Sequence, residues 1–147
     1  MFARIVVGTD GSETAKQAVR EAAQLAKQTG AALYIVSAFD PVPQGRLREA
    51  RLEAPSDIEH TLHPNEDVEA TLADAARDVD DAGVEVQTIA RQGEPADAIL
   101  DVAEEQKADL IVVGNKGMTG AKRFLLGSVP NKISHHAPCD VWIARTT

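Results

Sequence analysis

The chain has 147 residues and carries 23 acidic against 15 basic side chains, a formal net charge of -8. That length fits one domain with a real core, here 1–147, and the acidic balance excludes a general nucleic-acid binder, which needs a basic face to neutralise phosphates. No apolar run approaches the roughly 20 residues that span a bilayer, Met1 to Asp10 lacks the apolar stretch of a signal peptide, and Cys139 alone supplies neither an intrachain disulfide nor a zinc cluster, so a cytoplasmic protein without a membrane partner is expected.

Ala3 to Val7 is a short β-branched run stopped by Gly8-Thr9-Asp10-Gly11-Ser12. Ala15, Ala18, Val19, Ala22, Leu25 and Ala26 then recur at helical spacing, with Ser12 placed to cap the helix and Gly30 to end it. Ala31 to Ala38 reads as a second buried strand. The segment 41–64 breaks the pattern with Pro41, Pro43, Pro55, Pro64, Gly45 and mixed charges, and reads as a variable loop or lid. Within it, Arg46, Arg48 and Arg51 fit a solvated turn paired with Glu49 and Glu53 better than a phosphate clamp. His60 and His63 lack the helical spacing or nearby cysteine of a metal site.

Asn65 to Ala82 predicts a helix with Val68, Leu72, Ala75, Ala76 and Val79 on one face, stopped by Gly83. Val84 to Ile89 alternates as a third strand, and Pro95 opens a helix that turns Ala96, Ile99, Leu100 and Ala103 inward. Asp109 leads into Leu110 to Asn131, the segment LIVVGNKGMTGAKRFLLGSVPN. There a β-branched run ends at Gly114, Gly117 follows after two residues, and Gly127-Ser128 opens a further helix to about His136. Asp140 to Ala144 is the last strand.

Strands alternating with helices predict an α/β fold: a single doubly wound domain with a five-stranded parallel sheet in the order 3-2-1-4-5 and two helices on each face. Such a sheet takes ligands beyond the carboxyl ends of its strands, where the strand order reverses. In that order Thr9-Asp10 and Gly114 to Gly117 face each other across one crevice. Glycines admit a ligand close to the backbone, and a helix N-terminus adds unpaired N–H groups, so this is a place for an anion. Asp10 suits a ribose, accepting hydrogen bonds from its hydroxyls, while the glycine amides and Ser128 suit phosphate; a turn-forming role for Asp10 remains open beside it.

There is no G-x-x-x-x-G-K-[ST], no G-x-G-x-x-G after the first strand and no G-x-S-x-G. What is present is Gly114-x2-Gly117-x9-Gly127-Ser128 after a strand, together with an acid ending the first strand. With the opening IVVGTDGSETA, the middle VVGNKGMTGAKRFLLGSVPNKI and the ending APCDVWIART, it resembles the universal stress protein family over nearly the whole chain, 41–64 excepted. The resemblance implies a five-stranded doubly wound domain, a homodimer joined through the last strand (Val141 to Arg145), and a regulatory, stress-response module of the ATP-binding branch. Carried over residue by residue, it puts Asp10 on the ribose with Thr9 beside the adenosine, and the backbone of Ala38 on the adenine edge. Val113 and Gly114 would lie along ribose and phosphates, Lys116 and Gly117 would cradle the phosphates, and Gly127, Ser128 and Val129 would close around them. A metal ion, Mg2+ or Mn2+, would bridge the phosphates, held mainly by phosphate oxygens and water.

Pro130 lacks an N–H and biases Val129 away from helical geometry, so the cradle rests on the amides of Gly127, Ser128 and Val129 and on the Ser128 hydroxyl. Lys122, Arg123, Asn131 and Lys132 read as solvent-facing. No base or activated nucleophile is legible beside a γ-phosphate: His135-His136 lies at the far end of the last helix, and Cys139 reads as a small buried hydrophobe. The expectation is therefore a nucleotide-binding module and not an enzyme. The rival readings are a weak ATPase or phosphotransferase, and a dimerisation module that binds no nucleotide.

Overall fold

The computed structural model describes residues 2–39, 64–79, 83–115 and 128–146. Among them strands and helices alternate: β1 (Arg4–Gly8), α1 (Glu13–Thr29), β2 (Ala32–Phe39), α2 (Pro64–Asp78), β3 (Val86–Gln92), α3 (Pro95–Glu105), β4 (Leu110–Gly114), α4 (Ser128–His136) and β5 (Asp140–Ala144). The strands form one parallel sheet in the order β3-β2-β1-β4-β5, as expected.

Both faces of the sheet are buried, which is why its inner strands are continuous β-branched runs and not alternating ones. Successive residues supply opposite faces. Ile5, Val7, Leu33, Ile35, Leu110 and Val112 pack under α1 and α2, against Ala18, Val19, Ala22, Val68 and Leu72. Val6, Tyr34, Val36, Ile111 and Val113 pack under α3 and α4, against Ile99, Val102, Val129 and Ile133. The alanines of α1 leave no bulk between that helix and the sheet. The expected punctuation of α1 is present: Ser12 Oγ accepts the Ala15 N–H, and Gly30 takes the left-handed conformation (φ 74°) with its N–H on the Ala26 carbonyl.

Two elements differ from the sequence reading by more than one residue at an end. The third strand runs Val86–Gln92 and not Val84 to Ile89, because its extent follows backbone pairing with β2, which continues to Phe39 opposite Gln92. As an edge strand it tolerates Gln87, Thr88 and Gln92 on its exposed positions. Arg91, near its end, is held by a two-pronged pair with Glu105 of α3, at 2.5 and 2.9 Å. The second helix begins at Pro64, where the missing N–H costs nothing, and ends at Asp78. There the chain tightens, with the Val79 N–H on the Ala76 carbonyl at 3.3 Å.

Asp109, just before β4, fastens the start of β1. Its Oδ2 accepts the N–H groups of Ala3 (2.7 Å) and Arg4 (2.9 Å), while its own N–H reaches the Arg4 carbonyl at 2.9 Å. These donors favour the ionised form and hold the carboxyl below its ordinary value of 3.8. A group whose acidity is strengthened by folding contributes its stability in full above the unfolded pKa, and loses it as pH falls through the folded one. Asp109→Ala should therefore lower Tm at neutral pH, and the gap to the wild type should narrow below about pH 4. A pH-independent gap in thermal melts would count against the ionic part of this contact.

Candidate functional site

The site is built where β1 stops. β1 pairs with β4 only as far as Val7 opposite Val112, and with β2 as far as Gly8 opposite Val36. Because β2 and β4 flank β1 and run further, a notch opens over its end. Thr9 forms the floor: it is 1% exposed, its N–H bonds the Val36 carbonyl at 2.9 Å, and its Oγ1 accepts the Gly11 N–H at 3.1 Å. Asp10 stands exposed at the rim. One carboxylate oxygen accepts the Ser12 N–H at 2.9 Å, so the turn-forming role is present, and the other oxygen is left for a further donor. Gly11 turns the chain at φ +84°, and a Cβ there would sit 3.2 Å from the Thr71 Cγ2 of α2.

The walls of the notch present backbone. Along β2, the Ala32 N–H bonds the Ala3 carbonyl and the Val36 carbonyl accepts from Thr9, so even-numbered residues direct their peptide groups toward β1; Leu33 and Phe39 direct theirs toward β3. Ala38 therefore points its N–H and C=O to the side that β1 has vacated. On the opposite wall, the Asn115 N–H reaches the Ala144 carbonyl of β5 at 2.9 Å, which turns odd-numbered residues of β4 toward β5 and the even-numbered Gly114 toward the notch. Val113 is buried beneath α3 and α4. Val129, in the first turn of α4, lines a small cleft of about 20 Å³ with Gly8, Thr14, Ala15, Val113, Gly114 and Thr146. Ser128 opens α4 and is exposed. A wider concavity of about 550 Å³, lined by Glu13, Thr14, Gln17, Arg20, Arg145 and Thr146, adjoins this cleft through Thr14 and Thr146.

Pro130 behaves differently from the expectation. Val129 lies within α4, which starts at Ser128. A proline in the first turn removes an N–H that has no intrahelical acceptor, and this one is buried, so its ring packs without moving the helix start. The donor it withdraws is absent from the first turn of α4.

The universal stress protein family matches this chain over residues 1–145. The chain belongs to that family. A universal stress protein of Mycobacterium tuberculosis is 38% identical over 147 residues, covering 99% of this chain and 98% of its own. A universal stress protein solved in complex with cAMP superposes with a TM-score of 0.74 at 33% identity, over 99% of this chain and 98% of that one. The Archaeoglobus fulgidus universal stress protein solved in complex with dAMP gives a TM-score of 0.65 at 27% identity, over 95% and 94% of the two chains.

In this universal stress protein the structure brings Thr9, Asp10, Ala38, Val113, Gly114, Ser128 and Val129 to the carboxyl ends of the strands around one notch. Lys116, Gly117 and Gly127, with Lys122, Arg123, the arginines and histidines of the 41–64 segment, lie outside the described residues. Lys132, expected to face solvent, instead ties α4 to the first turn of α3, 2.8 Å from Asp97 and 3.5 Å from Glu94. Its hydrogen bond to Asp97 raises the lysine pKa. His135 and His136 end α4, at the opposite end of that helix from Ser128. Cys139 is half-buried, and burial, with Asp140 and Asp109 nearby, pushes its thiol up. Among the described residues no group of three His, Cys, Asp or Glu side chains is placed to hold a metal, and no helix is long and apolar enough to cross a membrane.

Three residues at the site have no signal in the sequence reading: Thr14, Asn115 and Thr146. Thr14 is absorbed into the helical pattern of α1 and Asn115 into the glycine spacing, while Thr146 follows the last strand without any periodicity of its own. Only the strand order brings them together.

Proposed function

We propose that this universal stress protein binds an adenine nucleotide, ATP, in the notch over β1 and acts as a dimeric regulatory module in the cytoplasm. The observation that carries this reading is the pair of backbone walls. Ala38 offers a donor and an acceptor on one side, matching the hydrogen-bonding edge of adenine, and Gly114 offers unshielded peptide groups on the other. Asp10 between them accepts hydrogen bonds from ribose hydroxyls. Ser128 and Val129, at the N-terminus of α4, supply N–H groups and the positive end of a helix dipole to phosphate. Lys116, Gly117 and Gly127 would complete that cradle. The complexes of two similar proteins with cAMP and dAMP support an adenine nucleotide as the class of ligand.

At Gly114 a Cβ would lie 3.3 Å from the Thr146 Oγ1, so the packing there admits little beyond glycine. Mg2+ or Mn2+ would travel with the phosphates, held mainly by their oxygens and by water. Its part would be to neutralise phosphate charge while the protein fixes the sugar and base. The described residues bring one carboxylate to the notch rim, Asp10, and it serves the turn and the ribose. That favours binding over hydrolysis or phosphoryl transfer, which require a positioned base.

Titration of pure protein with ATP and Mg2+ by calorimetry should give saturable heat and a rise in Tm. Mass spectrometry of material released on denaturation should identify an adenine nucleotide. Neither heat nor Tm shift would remove the reading, and turnover abolished by Asp10→Ala would promote the enzymatic alternative.

For the dimer, β5 stands last in the strand order beside β4 among the described residues, and Trp142 upon it is 37% exposed, the large hydrophobic side chain most open to solvent among them. An outer strand carrying an exposed indole is a surface that a second copy can cover through Val141 to Arg145. Trp142→Arg should shift sedimentation from dimer toward monomer by roughly tenfold or more in the dissociation constant. An unchanged dimer would place the interface elsewhere.

A further inference from the structure

The segment leaving β5 is fastened to the first residue beyond β4. Asn115 Oδ1 accepts two hydrogen bonds from one residue, the Thr146 N–H at 2.9 Å and the Thr146 Oγ1–H at 3.0 Å. The Asn115 N–H meanwhile donates to the Ala144 carbonyl at 2.9 Å. Backbone and side chain of Asn115 thus hold the same short stretch, residues 144 to 146, from two directions. The Thr146 side chain that results lies over Gly114: a Cβ built on Gly114 would stand 3.3 Å from its Oγ1 and 3.4 Å from its Cγ2. It also lines the cleft with Gly8, Val113 and Val129.

The rotation of Gly114 about the strand axis is the quantity at stake. Glycine has no side chain to lock its own peptide groups, so it relies on its neighbours. The β4–β5 ladder, which the Asn115 N–H bond to Ala144 continues past Gly114, turns Gly114 toward the notch, since successive residues of a strand address opposite neighbours. We propose that Asn115 and Thr146 form a latch that positions Gly114, holding its peptide groups toward the ligand and setting affinity at the phosphate end of the site. Both are positioning residues: the Asn115 side chain holds Thr146 in place, which steadies the stretch that the Asn115 N–H bonds, and Thr146 closes the space behind the glycine. The role rests on the nucleotide reading given above, and it locates part of that site on the segment after the last strand.

The latch predicts an effect confined to one end of the ligand. Adenosine engages the Asp10 and Ala38 end and carries no phosphate, so ATP and adenosine together separate positioning of Gly114 from general loss of structure. Asn115→Ala and Thr146→Val, the latter nearly isosteric but without the hydroxyl, should each weaken ATP binding roughly five- to tenfold. They should leave adenosine affinity within about twofold of the wild type. Thr146→Ser keeps the donor to Asn115 and should restore ATP affinity. Calorimetry on the full chain, with Tm recorded for each variant, reads all of these. Equal losses for ATP and adenosine, or no loss for either, in variants of a wild type that does bind ATP would overturn the latch alone. A wild type that binds neither ligand would overturn the nucleotide reading beneath it and the latch with it.

Discussion

Gly114→Val is expected to reduce ATP affinity by at least about a hundredfold, near 2.7 kcal/mol, while the protein remains folded. The substitution acts on the cleft that Gly114 lines. The new Cβ meets the Thr146 side chain at 3.3 and 3.4 Å, close enough that Thr146 must move by a few tenths of an ångström. The two γ-methyls that this Cβ carries add bulk to the space shared by Gly8, Val129 and Thr146. The backbone of Gly114 does not lie in the left-handed region, since the glycines with positive φ among the described residues are Gly11, Gly30, Gly83 and Gly93. Valine is therefore tolerated by the strand itself, and the cost to folding should stay near 1 to 2 kcal/mol, the range of modest overpacking. Calorimetry with ATP, beside a thermal melt, separates the two effects. Retained affinity in a folded Gly114→Val protein would mean that the ligand does not lie in the notch over β1.

That prediction rests on a site whose frame was legible in the sequence. Ile5-Val6-Val7 and Ile111-Val112-Val113 are apolar at every position because their strands are covered on both faces, and that is why they stand out from the helices around them. Once the alternation of strands and helices is fixed, the handedness of the crossovers leaves few arrangements, and the one adopted puts Asp10 and Gly114 at the same end of the sheet. Asp10 and Ser128 are legible for a local reason: Asp10 lies between Gly8 and Gly11 just ahead of α1, and Ser128 follows Gly127 at the mouth of α4, where the chemistry of caps and turns is strong.

What was not legible is of two kinds. The end of β3 at Gln92 lies beyond the apolar alternation because an edge strand is held by one ladder of backbone bonds, which polar side chains such as Thr88 and Arg91 do not interrupt. Asp109 and Thr146, in turn, act across 105 and 31 residues of chain, on the backbone of Arg4 and on Asn115. Such contacts have no periodicity to betray them. Pro130 shows the limit of a local rule applied alone: its N–H is lost, but Val129 is helical because its side chain is buried with Ile133 under the sheet. Tertiary packing outweighs the preference of a residue before proline.

The same packing carries the second large effect, on stability. Ile111 is fully buried in β4, with β1 on one side and β5 on the other, and it packs with the helices α3 and α4. Cutting it to alanine removes three carbons from a site walled by strands that cannot close inward without breaking backbone pairing. The cost should therefore fall in the upper part of the range for such truncations, about 4 kcal/mol. Against a total stability of roughly 5 to 15 kcal/mol for a domain of this kind, that is a large fraction, and it corresponds to a fall in Tm of roughly 8 to 16 °C. Ile89 supplies the comparison: it faces the same cluster from the edge strand β3 but is only partly buried, so Ile89→Ala should cost about 1 to 2 kcal/mol. Urea unfolding of the two variants at one protein concentration reads the difference directly. Equal losses would show that stability is not concentrated around β4, and the reasoning that places a rigid wall at Gly114 would lose its foundation.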